Sequence, residues 1–188
     1  MGYTSRNRVQ MVRGGRDFFI RLHQLIDTAK HSIHLQYYIF LDDDTGNAVI
    51  RSLQSAAARG VSVYLHLDAY ASRELSQKSV AALRSAGVQV KWFEPLFKSR
   101  HFYLGRRLHH KVVVVDGFHT MVGGINICDR YNDLPGDPAW LDMAVFCEGE
   151  AAYIVYHICR RMWQDKISQP AIPWKDIDTA CAEIPEKE

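Results

Sequence analysis

The chain has 188 residues, 47% of them apolar, which suits one α/β domain with a substantial core and excludes several independent domains. Its 23 Lys and Arg against 21 Asp and Glu give a formal charge of +2 and an isoelectric point of about 8.3, below the 9 or so usual for a dedicated duplex-DNA binder. No apolar run approaches the roughly 18 residues of a spanning helix, no apolar leader follows Met1, and the cysteines (Cys128, Cys147, Cys159, Cys181) form no CxxC pair, so a soluble protein of a reducing compartment is expected.

Along the first half the hydrophobic period switches repeatedly. Val9 to Val12 is short and apolar and is broken by Gly14-Gly15. Phe18, Leu22, Leu25, Ile26 and Ala29 recur at helical spacing. Ile33 to Phe40, β-branched and aromatic, reads as a strand. Asp42-Asp43-Asp44-Thr45-Gly46 lacks the distal Glu of a calcium loop and is read as a turn that starts the next helix. That helix, carrying Val49, Leu53, Ala56 and Ala57, stops at Arg59-Gly60. A strand from Val61 to Leu67 ends at Asp68. Val80, Leu83 and Ala86 mark a further helix, and Val88 to Phe93 a third strand. Strands alternating with helices of this length predict an α/β fold: a mixed, largely parallel sheet flanked by helices on both faces.

The second half reads differently. Residues 98–111 are basic and aromatic. Lys111–Val115 and Thr120–Val122 are apolar strands joined by Asp116-Gly117-Phe118-His119, a hairpin signal because Asp-Gly tolerates positive φ. A loop follows at Asp133-Leu134-Pro135-Gly136-Asp137-Pro138, then a strand over Leu141–Phe146 and a helix over Ala151–Trp163. Residues 1–168 are expected to form the domain and 169–188, polar and Pro-bearing, a linker or tail.

The informative stretch is His109-x-Lys111-x4-Asp116-x6-Gly123-Gly124-x-Asn126. In an extended strand His109 and Lys111 point to one face and His110 to the other. An imidazole beside an ammonium makes a nucleophile next to an anion clamp. Val112–Val115 is the continuous apolar run of a strand buried on both faces. Gly123-Gly124 lets the backbone pass close to a ligand or a neighbouring strand, and Asn126 can return as a neutral donor. Singly, each residue has an ordinary explanation. Jointly, six residues at roughly 2–7% each match by chance on the order of 10⁻⁸ per start position.

This pattern resembles the signature of the phospholipase D superfamily, HxK(x)4D(x)6GGxN, at all six positions. The flanks resemble the amino-terminal half of bacterial cardiolipin synthases, through the Ile33–Phe40 strand, the Ala56-Ala57-Ala58-Arg59-Gly60-Val61 junction and Leu67-Asp68. The resemblance covers residues 9 to about 166. It implies phosphodiester exchange in two steps, with His109 attacking phosphorus to form a phosphohistidine that an acceptor hydroxyl then displaces. Lys111 and Asn126 would stabilise the non-bridging oxygens. Asp142, in Trp140-Leu141-Asp142, would orient the imidazole, and Asp116 would be chiefly structural. No metal or other cofactor is implied. His101, His110 and His119 are expected to be solvated or supporting side chains rather than zinc ligands.

The chemistry needs a second histidine to protonate the leaving oxygen, and the chain has one signature. Either a second half completes the site in cis, or a homodimer mate does. The first alternative is favoured by the flanks. Lys98, Arg100, Arg106 and Arg107, interleaved with Phe97, Phe102 and Tyr103, suit an anionic substrate. The expected partner is therefore an anionic phospholipid of the phosphatidylglycerol kind, with Gly123, Gly124, Arg106 and Arg107 binding it. The protein would work in the cytoplasm, peripherally on the inner membrane. A single-motif homodimeric endonuclease is the alternative, in which the aromatics would stack bases.

Overall fold

A computed structural model describes residues 4–94 and 106–165. The elements run β1 (Asn7–Arg13), α1 (Arg16–Thr28), β2 (Ser32–Tyr37), α2 (Asp44–Ala58), β3 (Ser62–Asp68), α3 (Gln77–Ser85), β4 (Gln89–Phe93), β5 (Lys111–Val115), β6 (His119–Gly123), β7 (Met143–Gly149) and α4 (Glu150–Trp163). Local chemistry sets the boundaries. The Asp43 carboxylate accepts from the Gly46 N–H at 2.9 Å and starts α2; Ser76 does the same for α3 through Ser79. Gly60 and Gly87, at φ 89° and 94°, end the helices in a conformation that only glycine adopts without strain. Asp116 and Gly117 both take positive φ, 54° and 69°, and turn β5 back into β6.

The seven strands are ordered β1-β7-β6-β5-β2-β3-β4. The α/β class and the mixed, helix-flanked sheet are as expected. Five strands run in one direction and β5 and β7 oppose them, but parallel hydrogen bonding is confined to β2-β3-β4. The largely parallel sheet expected from the first half is thus corrected to one whose other four junctions are antiparallel. The reason is local: a three-residue hairpin loop, Asp116 to Phe118, can join only antiparallel strands.

Helices α1 to α3 cover one face and α4 the other. Strand β5 feeds both layers. Val113 and Val115 enter the large core with Phe18, Leu22, Leu35 and Leu65, whereas Val112 and Val114 pack against Cys159 and Val155 of α4. All five β5 residues are buried, each buried aliphatic contributing about 1.5–3 kcal/mol. The strand that leads in from the motif is therefore rigid. The basic positions from Lys98 to Tyr103, His101 among them, and the tail 169–188 lie outside the described residues.

Candidate active site

At the entry to β5, Leu108 is buried and its N–H donates to Asp68 Oδ2 at 2.8 Å. His109 follows with an exposed side chain. Its ring lies against Tyr38, centroids 4.7 Å apart, and Lys111 Nζ sits 5.1 Å from the centre of the same Tyr38 ring. The two motif side chains thus meet on one face, as strand alternation requires. His110 faces the other way, its Nδ1 2.9 Å from Gln36 Oε1 on the α4 side.

Lys111 is only 7% exposed. Its Nζ donates to the His109 carbonyl at 3.1 Å. Burial lowers its pKa, and the Asp142 carboxylate opposes that shift. Asn126 is 2% exposed, and its Oδ1 accepts from the Ile39 N–H at 3.1 Å. With the oxygen so engaged, the amide NH₂ is the end left to serve an anion.

The glycine pair has a geometric cause. A Cβ on Gly123 would stand 2.5 Å from the Met143 carbonyl oxygen, and one on Gly124 would overlap the Asp142 carboxylate. Gly123 pairs with Ala144 across the β6–β7 ladder. Of the two uses open to Gly123 and Gly124 in the sequence, the structure shows the close approach of a neighbouring strand, β7, and of Asp142. Asp142 Oδ1 accepts from the Met143 N–H at 2.7 Å. Among the described residues no hydrogen bond joins Asp142 to His109; the carboxylate's charge opposes the lowering of the Lys111 pKa.

Asp116 does not join the site. It lies at the far end of β5, seven residues from His109 and so roughly 20 Å away at strand rise. Its carboxylate accepts from the N–H groups of Lys30, His31 and Ser32 at 2.8–2.9 Å, a structural duty. Arg106 pairs with Glu94 at 3.5 Å, and Arg107 lies over Tyr70 at 5.1 Å. Both guanidiniums thus have partners that follow β3 and β4. His119 stands at the Asp116 end, stacked near Phe146. No group of three or more His, Cys, Asp or Glu is placed to hold a metal among the described residues.

Two neighbours of the site were not singled out from the sequence. Tyr38 carries both motif side chains on its ring, and Asp68 holds the chain just before His109. The sequence signals were a Tyr-Tyr pair in the β2 stretch and an Asp closing β3. The pairing Tyr37↔Lys111, which brings Tyr38 alongside, spans 74 positions and leaves no local trace.

A His-x-Lys strand entry closed by a Gly-Gly-x-Asn turn, inside a helix-flanked mixed sheet, defines the phospholipase D-like class of domain. The chain belongs to the family described as "Cardiolipin synthase, PLD-like domain", which matches residues 22–163. It is 37% identical over 155 residues to the major cardiolipin synthase ClsA of Bacillus subtilis (strain 168), covering 81% of this chain and 32% of that protein. The chain thus spans about a third of the length of the curated relatives it matches. In fold it is similar to phosphatidylserine synthase from Haemophilus influenzae (TM-score 0.68, 14% identity, 93% of this chain and 42% of that one). It is also similar to Nuc, a phospholipase D family member from Salmonella typhimurium (TM-score 0.62, 21% identity, 84% and 95%).

Proposed function

We propose that the chain is one half of a phosphatidyl-transferring active site. His109 Nε2 attacks the phosphorus of an anionic phospholipid; the N–P bond forms as the P–O bond to the leaving alcohol breaks. A second histidine gives the leaving oxygen its proton. The same group then takes a proton from an acceptor hydroxyl, lipid or water, whose oxygen displaces His109. Lys111 Nζ and the Asn126 amide hold the non-bridging oxygens as charge builds on them. The observation that carries this reading is the meeting of exposed His109 and buried, cationic Lys111 on the Tyr38 ring. His110 cannot be the second histidine, because it is turned to Gln36 on the opposite face. A second phospholipase D-like domain supplies it, and relatives about three times as long have room for one.

Lipid is favoured as substrate by the cardiolipin synthase relatives and by the surface beside Asp142. Trp140 and Leu141 are 59% and 87% exposed, and the Arg130 guanidinium lies 4.8 Å over the Trp140 ring. An exposed aromatic and a leucine next to an arginine suit a headgroup boundary. No helix among the described residues is long and apolar enough to cross a membrane, and the reading places the protein peripherally on the cytoplasmic membrane face. The second reading is a homodimeric phosphodiesterase acting on nucleic acid, favoured by one observation: in Nuc a domain like this is 95% of the chain.

The test is an assay of the intact protein on phosphatidylglycerol vesicles after dialysis against a strong chelator. Released glycerol and a lipid bearing two phosphatidyl groups are expected. Cleavage of DNA with no lipid turnover overturns the reading, and activity that returns only with added metal contradicts the roles of Lys111 and Asn126.

A further inference from the structure

The Asp68 carboxylate, at the end of β3, is completely buried. One of its oxygens accepts from the N–H groups of Tyr70 and Ala71 at 3.0 and 2.9 Å, and the other from the Leu108 N–H at 2.8 Å. The Leu108 amide is the last backbone donor before His109, in a stretch that belongs to no strand. The His109 side chain itself makes no hydrogen bond among the described residues, and β5 begins only at Lys111. Between the ladder and the imidazole, therefore, the Leu108 N–H is held by a buried carboxylate reaching over from β3, and the His109 carbonyl by Lys111 Nζ.

We infer that Asp68 is a positioning residue for the nucleophile: by fixing the Leu108 amide it sets where the His109 ring stands relative to Tyr38 and Lys111. It touches no substrate and acts through the backbone. A nucleophile misplaced by about 1 Å can lose on the order of 10²-fold in rate, so a staple one residue away acts on turnover more than on binding. The inference rests on the proposed role of His109 and adds the group that holds it in place. An amide in place of the carboxylate cannot serve both sets of donors, because its NH₂ would face one N–H set or the other.

Two measurements test it. Amide hydrogen exchange of the chain needs no substrate: Asp68→Asn, or the shorter Asp68→Ser, should lower Leu108 protection at least tenfold while the β2 and β5 amides stay protected. Kinetics of the intact protein give the second readout: kcat should fall at least tenfold with KM within about twofold. The control is Glu150→Gln, which weakens a buried carboxylate accepting from the Ser5 and Arg6 N–H groups, remote from β5. It should lower stability without that loss of kcat. Unchanged Leu108 protection in both Asp68 variants overturns the inference whatever the protein's substrate. A kcat loss no greater than that of equally destabilised Glu150→Gln overturns it as well. If the protein transfers no phosphatidyl group, the exchange result still decides whether Asp68 holds the Leu108–His109 backbone.

Discussion

Lys111 carries the strongest electrostatic consequence of the site. Its ammonium is buried, which favours losing the proton, and Asp142 beside Gly124 works against that loss. In the proposed reaction the charged form clamps phosphate; it exists below the lysine's pKa, so the clamp is lost as pH rises through that value. Transfer by the intact protein should decline on the alkaline side at a pH below that expected of an ordinary lysine, about 10.4. In Asp142→Asn the decline should begin lower still. Lys111→Met should abolish the limb and cost about 10²–10³ in kcat, as loss of a single oxyanion donor does. A pH–rate profile that all three proteins share would refute this role. At this scale alternation in a strand made the His109–Lys111 pairing and the reversal of His110 legible from the sequence. The closeness of Asp142 to Gly124 was not, because that approach is made across two strands.

The working element is β5, whose two ends are held by carboxylates from outside or beyond it, Asp68 at the entry and Asp116 at the exit. Asp116→Ala would leave the N–H groups of Lys30, His31 and Ser32 without their acceptor at the junction of α1 and β2. Two of the three are near solvent, so the loss should be about 2–3 kcal/mol, a melting temperature lower by roughly 5–10 °C, read by calorimetry. A shift under 1 °C would show that the three bonds contribute little. The hairpin itself was legible, since Asp116-Gly117 is a local signal with a backbone reason. The helices over residues 16–28 and 44–58 were legible for the same kind of reason, the first through spacing and the second through spacing and caps. The insertion of β5 beside β2 was not, because register between strands nearly 80 residues apart is chosen by packing on both faces at once. Strand β7 begins two residues later than its apolar pattern suggests, and that delay leaves Leu141 and Asp142 outside the ladder.

For the whole molecule the decisive feature of the proposed reaction is that one domain presents one candidate nucleophile, His109. The fold gives His109 a fixed approach and a charged neighbour, yet a single imidazole cannot attack phosphorus and protonate the leaving oxygen from the same place. Domain class was legible because the six motif residues are contiguous in function and short in span. The completing half that the proposed reaction requires was not, since the proposal places it in another domain or another copy. The central claim is the covalent bond to His109. Intact protein incubated with a short-chain phosphatidylglycerol, quenched in alkali and digested, should yield a peptide containing His109 heavier by one phosphatidyl group, and His109→Asn should lose both adduct and turnover. Lipid turnover by His109→Asn within a few-fold of the parent, with no adduct in either protein, would contradict the account.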